Sequence, residues 1–211
     1  MAQHNHDEGD DFRELFSLPW PSAHHSLTKP DPNWTFNASL GWSQGAPASR
    51  IMGYRQAADL IFRSLSEDRG GRDTLVYPLV FMWRHAIELQ LKNIVERGQI
   101  VLGEPAIYPR HHGLLELWKM AMKVIEALEE EDQGEIENVT KVTEELCALD
   151  PDSTAFRYHE KKNGQPTLQA APELLPLGSI HEALAGVSSY LDCVDTCLEQ
   201  AIDYLADASH A

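Results

Sequence analysis

Between residues 180 and 205, Ile180, Leu184, Val187, Leu191, Val194, Leu198, Ala201 and Leu205 recur at alternating steps of four and three. At 3.6 residues per turn these positions form one stripe, whereas in a strand they would scatter over both faces. The pattern demands a long helix with one buried side, and such a helix needs other helices to bury it against. Ser179 with Glu182 gives it a capping-box start. The same periodicity recurs upstream. Ile51, Tyr54, Ala58, Ile61 and Leu65 predict a helix over about 50–67, and Val76, Leu79, Val80, Trp83, Ile87, Leu91 and Ile94 a more enclosed one over about 74–97. Pro78 falls in the first turn of that second helix, where a missing amide is tolerated.

A loop containing Gly98, Gly103, Pro105 and Pro109 leads to a third helix over about 112–131, with Leu114, Leu117, Trp118, Ala121, Ile125 and Leu128 inward. Asp132 and Glu135 open a fourth, whose inward residues are Ile136, Val139, Val142 and Leu146 and whose end is Asp150-Pro151. In residues 154–169, the pair Asn163-Gly164 between short extended pieces signals a tight turn and one small β-hairpin. The expected fold is all-α: an antiparallel bundle of about five helices with that hairpin inserted, over residues 47–211. Residues 1–46 differ, carrying prolines and Trp20, Trp34 and Trp42 without helical spacing. Disordered segments are poor in aromatics, so an irregular arm pinned to the body or to a partner subunit is expected there.

Charge limits the partners. The chain of 211 residues has 17 Lys and Arg against 33 Asp and Glu, a formal net charge of −16. Residues 126–150 hold ten acids against Lys141 alone, a face that repels phosphate. Any nucleic acid must therefore bind on a local basic patch, such as Arg157, Lys161 and Lys162. The longest apolar run, Leu75 to Trp83, falls far short of the ~20 residues that span a bilayer, and the acidic start lacks the features of a secretory signal. Three cysteines cannot all pair internally, which suits a reducing compartment. A cytoplasmic protein without a membrane partner is expected. There is no phosphate-binding glycine loop, no Gly-x-Ser-x-Gly elbow and no HExxH, so nucleotide hydrolysis, serine hydrolysis and zinc proteolysis find no support.

Candidate chemistry concentrates in residues 77–92, YPLVFMWRHAIELQLK. Arg84, Glu88 and Lys92 stand at i, i+4 and i+8, with His85 beside them, so a polar stripe runs down an apolar helix. One reading is an intrahelical charge ladder. The other is an anion site, in which an arginine offers bidentate geometry and a histidine titrates near neutrality. Arg110-His111-His112 opens the third helix, and Arg157, Tyr158 and His159 precede the predicted turn, where tyrosine and basic residues suit single-stranded RNA. His85 with Glu88 and His112 with Glu116 have helical ligand spacing, but the two Glu-x-x-His motifs of a di-iron bundle are absent, so no metal or other cofactor is expected. Cys193 and Cys197, flanked by Asp192 and Asp195, gain no thiolate stabilisation and read as packing residues.

The blocks RHAIELQLK, RHHGLLELW and DPDSTAFRY, in that order, resemble bacterial proteins of the HEPN superfamily over roughly residues 50–206. The resemblance implies an all-α bundle that forms a homodimer. It also implies either a metal-independent endoribonuclease or a module that binds RNA or a partner protein, in a stress, toxin–antitoxin or phage-defence setting. Catalytic members carry an Arg followed after four to six residues by a His, and no Arg of this chain has a His at that distance. The first expectation is accordingly a catalytically degenerate binding module, with Arg84, Glu88, Lys92, His111, His112, Arg157, Tyr158 and His159 as candidate binding residues. The alternative is an endoribonuclease with a composite site, for which Arg84, His85 and His112 are the catalytic candidates: an Arg holds phosphate and a His moves a proton for attack by a 2′-hydroxyl. A third reading makes the chain a structural subunit of a larger complex.

Overall fold

The apolar residues of the second periodic segment occupy most of its circumference, so that helix has to be enclosed by others, and it is. A computed structural model describes residues 21–41, 47–67, 70–128, 133–168 and 171–209. Five helices follow in order: α1 (Pro47–Glu67), α2 (Arg72–Val101), α3 (Leu114–Ala127), α4 (Gln133–Leu149) and α5 (Leu177–Ser209). Helix α2 packs against α1, α5 and α3, while α4 bridges α3 and α5. Leu79, Trp83, Ile87, Leu91 and Ile94 of α2 are buried together with Leu117 and Ala121 of α3 and Leu191 and Leu198 of α5. Burying a Leu or Ile side chain contributes about 1.5–3 kcal/mol, which makes this core the principal source of stability. No described helix is long and apolar enough to cross a membrane.

The chain divides into two compact units, Met1–Gln44 and Gly45–Ala211. In the first, the described part contains a short 3-10 turn, Trp34–Phe36, in which the Asn33 side chain accepts from the Thr35 amide; Trp34 and Phe36 are exposed. Trp20 and Trp42 lie outside the described residues.

Several local expectations are corrected. The β-hairpin at 154–169 is not seen, and among the described residues there is only an isolated antiparallel bridge between Glu160 and Pro166. The Asn163-Gly164 turn does close, with Gly164 at φ +78° and its amide on the Lys161 carbonyl at 2.9 Å. A ladder cannot grow from it, because the Thr154 carbonyl curls the first arm by accepting from Arg157 and Tyr158 and Pro166 has no amide to donate. Helix α2 starts at Arg72, so Pro78 lies beyond its first turn, inside the helix. Gly98 belongs to α2 and not to the following loop: a Cβ there would stand 2.3 Å from the Val124 side chain, so the glycine is what lets α3 approach. Helix α5 begins at Leu177, which places Ser179 and Glu182 within it, and the Ile180 amide bonds the Pro176 carbonyl at 2.9 Å. Asp132, half of the other capping box, lies outside the described residues.

Candidate functional site

Helical spacing puts Arg84, Glu88 and Lys92 on successive turns of α2, and the fold encloses all three: they are 1%, 1% and 4% exposed. Glu88 is the hub. Its Oε1 accepts from Lys92 Nζ at 2.8 Å and lies 2.7 Å from His112 Nδ1, while Oε2 accepts from Arg84 at 3.3 Å. Burial pushes the Glu88 carboxyl upward, but the hydrogen bonds and charges of Lys92 and His112 outweigh it and hold the group below the ordinary value. The carboxylate is thus ionised at neutral pH.

A fourth charge completes the network, and it comes from the end of α4. Asp150 is 2% exposed. Its Oδ1 accepts from the Thr154 and Ala155 amides at 2.8 and 2.9 Å, tying up the loop that follows. Its Oδ2 lies 3.3 Å from Arg84 Nε, an ion-pair distance without hydrogen-bond geometry. Arg84 also donates to the carbonyls of Asp150 and His112 at 3.4 and 3.5 Å. Two buried cations therefore face two buried anions, which makes their joint desolvation tolerable. The same arginine fastens the start of α3 and the end of α4 to α2.

Above this neutral base lies a more open rim. His112 is held by Glu88 through Nδ1 while its side chain is 67% exposed, so its Nε2 is left for other partners. His85 lies one position from Arg84, half-buried between the rings of Tyr54 (centroids 4.4 Å, edge-on) and Phe81 (5.7 Å, stacked). Burial lowers its pKa; Glu88 opposes this, and Lys92, Arg157 and His112 add to it. His85 is neutral at pH 7. Arg157 donates through Nε to the Ser153 carbonyl at 2.8 Å and lays its guanidinium over the rings of Phe81 and Tyr158, at 5.5 and 5.3 Å from their centroids. Phe156 is buried and anchors the segment that presents it. Lys92 also faces the Tyr108 ring at 5.8 Å.

The fold thus brings Arg84, His85, Glu88, Lys92, His112 and Arg157 into one neighbourhood and presents Tyr158 at its edge. It does not bring in His111, whose Nδ1 is 3.6 Å from Glu116, nor His159, which is exposed beside Glu160. Asp150, Tyr54, Phe81 and Tyr108 are not among the site candidates that the sequence offers, where Tyr54 counts as a helix residue and Asp150 as a helix end. Only Asp150 carried a legible signal, an Asp followed by Pro and a Ser-Thr pair at a helix end, the composition of a side-chain-capped turn. Among the described residues no group of three His, Cys, Asp or Glu side chains is placed to hold a metal ion.

Chemically, the rim offers a neutral imidazole, a second imidazole oriented by a buried carboxylate, a guanidinium and exposed aromatic surface. Compared with known proteins, the chain matches no family model, no curated protein and no solved structure.

Proposed function

We propose that this chain is a HEPN-like helical bundle that binds single-stranded RNA through the rim formed by His85, His112, Arg157 and Tyr158, in a bacterial stress, toxin–antitoxin or phage-defence setting. The setting comes from the sequence resemblance alone, and the antiparallel bundle from the helical periodicity and the resemblance together. The observation that carries the binding reading is the division of labour around Glu88: the charges that the fold consumes are buried and balanced, while a guanidinium, the His112 imidazole and a tyrosine ring are exposed beside them and the His85 imidazole is half-buried among them. Arg157 supplies phosphate contact, and Tyr158, 57% exposed, supplies a ring for a base to stack on. Arg84, fully enclosed, acts here as the strut that positions His112 and the loop after Asp150. With a net charge of −16 opposing association at long range, such binding is local and weakens steeply with salt.

One observation favours a second reading, a metal-independent endoribonuclease. A histidine oriented by a buried carboxylate, next to a histidine kept neutral by burial, is an acid–base pair of the kind that moves protons during attack of a 2′-hydroxyl on phosphate. One experiment separates the readings: the full chain is titrated with fluorescent single-stranded RNA at low salt, with and without EDTA, alongside Arg157→Ala and His112→Ala. Binding without cleavage, weakened at least tenfold by Arg157→Ala, supports the module. Cleavage that resists EDTA and disappears in His112→Ala makes the chain a nuclease. RNA that neither binds nor breaks overturns both.

A further inference from the structure

Ser153, in the loop after α4, has φ +58° and is the one non-glycine among the described residues with a positive φ. Left-handed backbone is disfavoured for any residue with a Cβ, and it persists where the surroundings over-determine it. Asparagine and aspartate reach it with the help of local side-chain hydrogen bonds, but the Ser153 hydroxyl makes none among the described residues. Its neighbours impose the conformation instead. Asp150, paired with Arg84, receives the Thr154 and Ala155 amides on Oδ1, so the chain has to turn back within residues 151–153. Pro151 has its φ locked at about −65°, and of the two residues left Ser153 is the one that supplies the positive φ.

The turn does more than reverse the chain, because it directs the Ser153 carbonyl at Arg157, whose Nε donates to it at 2.8 Å. The guanidinium also lies over the rings of Phe81 and Tyr158. At the other end of the segment, buried Thr167 donates through Oγ1 to the Tyr158 carbonyl at 2.5 Å. Arg157 is nonetheless exposed, and among the described residues its Nη1 and Nη2 make no hydrogen bond or ion pair. A guanidinium fixed through Nε and its plane, with a bare outer edge, is ordered before an anion arrives, and that edge matches two oxygens of one phosphate. We propose that Ser153 is a positioning residue of the RNA site: its left-handed turn aims Arg157 so that Nη1 and Nη2 together take one backbone phosphate. The inference rests on the RNA reading of the same rim.

The first measurement needs no variant: by heteronuclear NMR on the full chain, the Arg157 Nε–H should exchange with water about tenfold slower than that of the exposed Arg63. The second is a cycle of affinities for fluorescent single-stranded RNA at low salt. Ser153→Val, whose branched Cβ is at odds with the left-handed region, should weaken binding about fivefold, the order of the cost of ordering one long side chain on binding. In an Arg157→Ala background the same change should weaken it no further, whereas a general disturbance of the fold would cost as much in both backgrounds. Ser153→Gly reaches the same φ freely, so it restores both the affinity and the slow Nε–H. The inference alone is overturned if RNA binds but Arg157 exchanges as fast as Arg63, if a folded Ser153→Val binds like the wild type, or if Ser153→Val costs as much in both backgrounds. A wild-type chain that binds no RNA overturns the RNA reading and the inference with it. Should Ser153→Val fail to fold, the exchange rate in the wild-type chain decides.

Discussion

Helix α2 carries polar residues on two opposite faces, and the two are built differently. At 100° per residue, Arg84, Glu88 and Lys92 point one way and Gln90, Asn93 and Arg97 the other. On the second face, Gln90 donates to the Ser188 carbonyl and to Asp192 at 2.9 and 2.7 Å and accepts from the Ser188 hydroxyl at 2.7 Å. Asn93 and Arg97 both reach Asp195, at 2.9 and 2.6 Å. That seam is amide and hydroxyl at its centre, charged only where it meets solvent, and joins α2 to α5 at small desolvation cost. The first face is the expensive arrangement, four charges withdrawn from water. A fold that needed only to join helices had the cheaper solution at hand one half-turn away. The difference supports the proposed placing of the RNA site on the face where charge is buried beneath exposed His112 and half-buried His85.

The largest expected effect breaks the buried face. Glu88→Gln removes the anion that Arg84, Lys92 and His112 share, leaving two enclosed cations opposite Asp150 alone. The expected loss is about 3–5 kcal/mol of unfolding free energy, measured by urea denaturation at pH 7. A loss under about 1 kcal/mol would mean that water reaches the network and that the contrast between the two faces is false.

A smaller effect, read as a slope, uses one histidine on each side. His85 stands beside the buried network. His181 of α5 stands on the other side, stacked on Phe62 at 3.9 Å between centroids and accepting from Trp83 Nε1 through Nδ1 at 3.1 Å. Burial lowers both below the ordinary value of 6.5, and the nearby acids Asp59 and Glu182 only partly offset this for His181. When a base has a lowered folded-state pKa, the unfolded chain takes up the proton first on acidification. The stabilisation is therefore present above pH 6.5 and is lost as pH falls from there through the folded-state values. Each group contributes at most about 1.4 kcal/mol per pH unit. Urea midpoints between pH 7.5 and 5.5 should fall less steeply in His85→Phe and in His181→Gln, which keeps an acceptor for Trp83. A slope unchanged in both variants would assign the acid sensitivity to other groups.

The helices were legible in the sequence because burial writes a period of 3.6 onto apolar residues, and α2 was recognisable as the enclosed one from the breadth of its apolar arc. Their ends were less so. Gly98 reads as a loop residue by propensity, yet the approach of Val124 requires it within the helix, a tertiary demand that local sequence does not reveal. The hairpin failed for a related reason: its turn was correctly signalled, while Pro166 and the curl at Thr154 denied it strands. In the site, the i, i+4, i+8 spacing predicted that Arg84, Glu88 and Lys92 are neighbours but not which way they face. Asp150 answers that question, and it arrives from another helix 66 residues away. His111 and His112 illustrate the same limit, since adjacent identical residues diverge to Glu116 and Glu88 according to where α3 begins.

The smallest expected effect sharpens the comparison at the outer end of the second face. Arg97 and Asp195 are 27% and 36% exposed. Burial raises the Asp195 carboxyl pKa; the charge and hydrogen bond of Arg97 lower it, and Glu199 and Asp192 add to the rise, which leaves the group above its ordinary value. Asp195→Asn keeps an oxygen for the Asn93 amide to donate to while removing the charge. Its effect on stability at pH 7 should lie within about 0.5 kcal/mol of zero, and the coupling to Arg97→Gln in a double-mutant cycle within the ~0.2–1 kcal/mol of exposed pairs. Glu88→Gln is the same chemical change, a carboxylate replaced by its amide on the partner of a cation. A several-fold difference between the two variants isolates enclosure, since residue type and hydrogen-bonding capacity are matched, and equal losses would show that both faces of α2 are held together by the same kind of ordinary helix-joining contact.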